Sequence, residues 1–144
     1  MSDLEQKILK SHPPEAFLEE KFHSLGFEQL TDIQKRALPI ICQKIDSLVI
    51  APTGSGKTEC VVIPTFSQVK ETKKQGMIKV LYITPLRALN RDVFRRITKY
   101  AELDGLTIQV RHGDTPQSLR KKISDSPPDV LITTPETLVI LLTQ

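Results

Sequence analysis

The chain has 144 residues, a length that suits one domain with one core. Hydrophobic residues make up 39% and charged residues 26%, an ordinary globular mixture that argues against a disordered tail, and no stretch approaches the roughly 18 continuous apolar residues of a membrane span. The net charge of +3 permits contact with a polyanion without demonstrating it.

The opening residues, MSDLEQKILK, contain no apolar signal-peptide region, so a soluble, cytoplasmic protein is expected. Pro13 and Pro14 suit a helix start and lead into residues 15–25, which Gly26 ends. A second helix is expected over residues 31–43, bounded by Thr31 and interrupted by Pro39. Residues 1–45 therefore read as a helical cap on one edge of a sheet. Within them, Thr31-Asp32-Ile33-Gln34 has two readings. One is a capping box, in which the Thr31 hydroxyl and the Gln34 amide satisfy backbone donors. The other is base reading, because an amide offers one acceptor and two donors and matches the N6–N7 edge of adenine. Phe17 could stack on such a base, although Phe22 and Phe27 lie close and any of the three could be plain core.

Three short runs rich in β-branched residues follow, at 47–51, 78–84 and 129–134. Each is continuous rather than alternating, as expected of parallel strands buried on both faces. A weaker fourth candidate is 106–111. Helical spacing fills the gaps. Residues 58–70 form one candidate, with Pro64 expected to kink or shorten it. Leu86, Leu89, Val93, Ile97 and Ala101 form an apolar stripe, and 114–123 and 135–142 read as shorter helices. Strand and helix alternate, which predicts an α/β fold with a doubly wound parallel sheet. Cys42 and Cys60 have apolar neighbours and no C-x-x-C spacing, so both are expected as buried, reduced thiols.

Between the first strand candidate and the first following helix lies Ala51-Pro52-Thr53-Gly54-Ser55-Gly56-Lys57-Thr58. A strand before and a helix after are the context a phosphate-binding loop requires. Gly54 and Gly56 allow backbone angles that side chains forbid, and with Thr53 and Ser55 they let amides approach phosphate closely. The helix start turns its free N–H groups toward the anion. Lys57 is expected at the terminal phosphates and the Thr58 hydroxyl on Mg2+. The first position is alanine where the general pattern has glycine. A nucleoside triphosphate, with ATP favoured, is the expected ligand.

Further on, Pro85 is pre-set for a first helical turn, which places Leu86 and Arg87 near a helix N-terminus suited to backbone phosphate. Arg87, Arg91, Arg95 and Lys99 recur every four residues, and beyond Arg91 they read as a solvated face. Gly113, in His112-Gly113-Asp114-Thr115, either admits a nucleic-acid strand or makes a plain turn, and His112 has no catalytic partner. Thr134, Pro135 and Glu136 begin a helix at the carboxyl end of a strand, where ligands bind in open α/β sheets. Capping and phosphate binding use the same N–H groups there, so both readings stand.

Taken in order, APTGSGKTE, YITPLRALNRD, RHGDTPQSLRKK and PPDVLITTPETL resemble motifs I, Ia, the Gly-Asp element and Ib of superfamily 2 helicases. The Phe17 to Gln34 spacing resembles their Q motif. PLRAL and TTPETL look like the large helicase-related group rather than DEAD-box proteins, which usually carry PTREL and TPGR. The resemblance covers residues 17–144. It implies a P-loop NTPase domain of the RecA-like type over residues 46–144, with ATP and Mg2+ as cofactors. It also implies a DNA or RNA strand contacted along its backbone, and no membrane. Phe17 and Gln34 would select adenine, and Gly54, Ser55, Gly56, Lys57 and Thr58 would hold phosphates and metal. Pro85, Leu86, Arg87, Gly113, Thr134, Pro135 and Glu136 would line the strand path. No Asp-Glu-x-His or Asp-Glu-x-Asp segment occurs among the 144 residues. The expectation is therefore an incomplete domain, the N-terminal part of a longer helicase whose second RecA-like domain is its partner. Such a piece would bind ATP without cleaving it efficiently. The alternative is a truncated module that binds ATP or nucleic acid without turnover. A small-molecule kinase would leave 31–34, PLRAL and TTPETL unexplained.

Overall fold

A computed structural model of the chain describes residues 15–70, 72, 76–85 and 91–143, the first three of them by backbone alone. The chain divides into two units, Met1–Glu71 and Thr72–Gln144.

The first unit is helical. Its elements are α1 (Glu15–Ser24), α2 (Asp32–Cys42) and α3 (Lys57–Val69). Leu18 and Phe22 of α1, Ala37, Leu38 and Cys42 of α2, and Cys60, Ile63 and Phe66 of α3 are buried and make its core. Phe22 is a core residue, with its ring centroid 5.4 Å from that of Phe27 in a tilted pair. Two side-chain bonds tie the helices together. Lys21 Nζ donates to Ser67 Oγ at 2.6 Å, and Gln68 Nε2 donates to the Cys42 carbonyl at 3.2 Å.

Two local expectations fail here. Pro39 does not interrupt α2, which runs through it to Cys42. Proline removes one donor and crowds one carbonyl, a cost of about 3 kcal/mol, and the burial of Ala37, Leu38 and Cys42 around it outweighs that cost. The run at 47–51 is not a strand. It is without assigned helix or strand and has no ladder partner among the described residues, with Leu48 86% and Ile50 80% exposed. A strand is defined by its neighbours, so a composition suited to burial on both faces yields one only where a pairing edge is present. Both cysteines are free and buried, as expected.

The second unit carries the sheet. Its elements are β1 (Val80–Ile83), α4 (Arg91–Leu103), β2 (Ile108–Arg111), α5 (Gln117–Asp125), β3 (Val130–Thr133) and α6 (Pro135–Leu142). All pairs are parallel and the order is β1-β3-β2. Only the central strand β3 is buried throughout, which the continuous apolar pattern predicts for all strands. On β1 exposure alternates, with Leu81 42% and Ile83 47% exposed, so one face of this strand is uncovered among the described residues. Ile97, Tyr100 and Ala101 of α4 and Ile123 of α5 are buried. The expected stripe members Leu86 and Leu89 lie outside the described residues, as do Pro13 and Pro14. Helix α5 begins at Gln117 rather than 114, since Gly113 and Asp114 form a turn and Pro116 sits at its cap.

Asp129 staples the amino ends of the three strands. Its carboxylate meets Lys79 Nζ at 2.8 Å, and the Thr107 N–H and hydroxyl donate to it at 2.9 and 2.8 Å. Desolvation by burial raises its pKa, but the Lys79 ammonium and the two Thr107 donors outweigh this and leave it below the ordinary carboxylate value. A depressed folded pKa means stability that is fully present above the unfolded value near about 3.9. That stability is lost as pH falls through the folded pKa. Asp129→Asn is expected to cost about 1–2 kcal/mol at neutral pH. In urea titrations the gap between variant and parent should close as pH drops below about 4. A gap constant down to strongly acid pH would show that the staple acts without its charge.

Candidate functional site

The loop before α3 has the backbone its glycines predict. Gly54 has φ +77° and Gly56 φ +85°. Gly56 occupies the N-cap of α3 and supplies no side chain to its first turn. Among the described residues the amides of Gly54, Gly56, Lys57 and Thr58 therefore donate to no acceptor. The result is a 13-residue helix whose positive end is open to an anion. Ser55 Oγ is buried and has no hydrogen-bond partner among the described residues. An orphaned hydroxyl beside free amides fits a phosphate group, since a buried polar atom left unpaired costs about 1–3 kcal/mol.

Lys57 is turned back onto its own loop. Its ammonium donates to the carbonyls of Ala51 at 2.5 Å and Pro52 at 2.6 Å. A cation held by two neutral carbonyls exchanges them favourably for phosphate oxygens, which carry charge. Thr58 stands one residue further along the same turn, where a hydroxyl could take a magnesium ion together with a phosphate. Among the described residues no group of three His, Cys, Asp or Glu could hold a metal. The neighbouring Cys60 is not a reactive group. Desolvation raises its pKa, the Glu59 carboxylate adds to this and Lys57 opposes it.

The Thr31 to Gln34 element meets this loop directly. The capping box is complete: Gln34 N–H donates to Thr31 Oγ1 at 3.4 Å, and Thr31 N–H donates to Gln34 Oε1 at 2.9 Å. The same two side chains also brace the loop before α3. Thr31 Oγ1 donates to the Ser55 carbonyl at 2.8 Å, and Gln34 Nε2 donates to the Gly56 carbonyl at 3.3 Å. Gln34 is 1% exposed. Sequence reasoning missed this second role, because nothing in local spacing shows that residues 24 and 22 positions apart touch. A cavity of about 390 Å3 adjoins the brace, lined by Thr31, Ile33, Arg36, Ala51, Pro52 and Ser55 among others. Phe17 lies in α1, and the structure does not describe its side chain.

In the second unit, register gathers the remaining candidates at one edge. Ile83, Thr133 and Arg111 are aligned as the last residues of β1, β3 and β2. Pro85, Gly113, Thr134, Pro135 and Glu136 follow these ends within two or three residues, and all but Thr134 are exposed. Thr84 N–H donates to the Thr133 carbonyl at 3.0 Å and extends the ladder to that edge. Thr134 is buried and caps α6, accepting from the Thr137 N–H at 3.3 Å. The turn carrying Gly113 is held by Arg120, whose guanidinium donates to the carbonyls of Thr115 and Gly113. Asp114 N–H donates to His112 Nδ1 at 3.2 Å. Leu86 and Arg87 lie outside the described residues. No helix among the described residues is long and apolar enough to cross a membrane.

The family model for the DEAD/DEAH box helicase matches residues 31–144. The chain is 39% identical over 140 residues to the Lhr helicase/probable uracil glycosylase of Mycolicibacterium smegmatis, covering 88% of this chain and 9% of that protein. It is 34% identical to the Lhr helicase/uracil glycosylase of Escherichia coli, covering 82% of this chain and 9% of the relative. The chain thus spans about a tenth of the length of these relatives. Among solved structures, Mycobacterium smegmatis helicase Lhr bound to ssDNA and AMP-PNP superposes with a TM-score of 0.68 at 37% identity, over 95% of this chain and 18% of that one.

Proposed function

The chain belongs to the DEAD/DEAH box helicase family, and from that premise we propose that it forms the ATP-holding and strand-contacting part of an Lhr-like, ATP-dependent translocase. In this reading residues 51–58 hold ATP and magnesium. The carboxyl edge of β1, β3 and β2 contacts the backbone of a DNA or RNA strand. The observation that carries it is the open start of α3, with free amides at Gly54, Gly56, Lys57 and Thr58 and an unpaired Ser55 hydroxyl. The solved Lhr helicase with ssDNA and AMP-PNP supports both ligand classes.

Each residue has a defined task. The amides bind the phosphates and fix their position, Lys57 moves from the Ala51 and Pro52 carbonyls to the terminal phosphates, and Thr58 ligates magnesium. The metal, when bound, screens phosphate charge and orients the terminal group. Thr31 and Gln34 keep the loop in register with α2 through Ser55 and Gly56. Gln34 Nε2 keeps a second N–H and Oε1 a second lone pair, which are the groups an adenine edge would need.

The test is a titration of the chain with fluorescent ATP and GTP analogues, with and without magnesium. Magnesium-dependent ATP binding is the expected result, and its absence would end the proposal. Gln34→Ala then separates two roles. Base reading predicts an ATP affinity loss of about tenfold with little change for GTP, the worth of about one or two hydrogen bonds. Equal losses for both nucleotides would leave Gln34 as a loop brace alone.

A further inference from the structure

A groove of about 440 Å3 opens beside β2 in the second unit, with Arg111, Gln117, Arg120, Lys121 and Asp125 in its wall. Three cations face one carboxylate there. Arg120 is committed to the Gly113 turn, where its guanidinium holds two carbonyls. The side chains of Arg111 and Lys121 have no ion pair or hydrogen-bond acceptor among the described residues. Arg111 is also the last residue of β2, in register with Thr133. The groove therefore begins at the edge that carries Gly113 and Thr134 and continues from it along α5.

Two unpaired cations in a polar trough are suited to an anion rather than to an apolar segment. Continuity with the proposed strand path favours a phosphodiester over an acidic peptide. We infer that this groove takes the backbone of the bound nucleic-acid strand beyond the Gly113 and Thr134 edge, with Arg111 and Lys121 on phosphates and Gln117 as a neutral donor. The inference rests on the helicase reading above and extends its strand path to Arg111, Gln117 and Lys121, residues of the RHGDTPQSLRKK stretch to which that reading gives no role. Arg120 enters as a positioning residue, because it fixes the turn from which the groove starts.

The experiment measures anisotropy of a labelled single-stranded oligonucleotide with the full chain across a salt series. Each phosphate contact on a single strand contributes about 0.7 to the slope of log affinity against log salt. The double variant Arg111→Gln, Lys121→Gln is expected to lower that slope by about 1.4. It should also weaken binding about tenfold near 0.1 M salt. Affinity for the fluorescent ATP analogue and the melting curve should stay at parental values. Salt-dependent binding by the parent with an unchanged slope in the variant overturns the groove and leaves the helicase reading standing. No salt-dependent binding by the parent overturns both. A poly-glutamate peptide that binds through Arg111 and Lys121, while oligonucleotide affinity is indifferent to them, assigns the groove to an acidic protein and overturns the inference.

Discussion

Gly56→Ala is expected to destabilise the first unit by about 2–3 kcal/mol and to weaken nucleotide binding with it. Two effects add. The residue has φ +85°, where a side chain costs roughly 1–2 kcal/mol. A Cβ would also lie 2.3 Å from Gln34 Nε2 and 3.1 Å from its Cδ. A terminal amide usually swings aside at little cost. This one is 1% exposed and donates to the Gly56 carbonyl, while its Oε1 accepts from Thr31 N–H. Moving it breaks the capping box, a loss of about 1 kcal/mol. Urea unfolding measures the first effect, and titration with a fluorescent ATP analogue the second. The double variant Gly56→Ala, Gln34→Ala isolates the clash. It should be less destabilised than the sum of its parts, since the colliding amide is gone while the backbone strain remains. An unchanged unfolding midpoint in Gly56→Ala would mean that the left-handed cap is not required.

Lys57→Met should lower affinity for ATP by about 10- to 100-fold, the worth of a charge-assisted bond of roughly 1.5–3 kcal/mol. Methionine keeps the apolar stem and removes the ammonium. Stability should fall much less than in Gly56→Ala, because the bonds lost are to the Ala51 and Pro52 carbonyls at a part-exposed site. The contrast between the variants is the informative part. Lys57→Met separates binding from folding, whereas Gly56→Ala couples them. Calorimetric titration at constant magnesium reads the affinity, and retention within about threefold of the parent would remove Lys57 from the phosphate site.

Much of the candidate site was legible from spacing alone. Thr31 and Gln34 stand three residues apart, so their capping box is a local event that any isolated helix start would show. Gly54 and Gly56 announce positive φ because few other residues tolerate it. The three strand runs of the second unit end within two residues of the observed strands, and Thr134 and Pro135 mark the start of α6 as expected. The failures share one cause. The local cost of Pro39 points to a break, whereas the packing of α2 carries the helix through it. The run at 47–51 carries strand composition, but a ladder needs a second strand at hand, and composition does not supply one.

The elements of short range follow from the sequence alone: helix starts, the positive-φ glycines of the 51–58 loop, and the alternation that makes the fold α/β. These depend on residues within a few positions of one another, where backbone sterics and hydrogen-bond reach settle the result. Only the tertiary structure decided which distant groups meet. It laid Thr31 and Gln34 against the carbonyls of Ser55 and Gly56. It placed β3 between β1 and β2, and so brought the residues after Ile83, Arg111 and Thr133 to one edge. It left Arg111 and Lys121 facing a shared groove. Such pairings turn on packing and sheet order, which a linear pattern does not encode at separations of 20 residues or more.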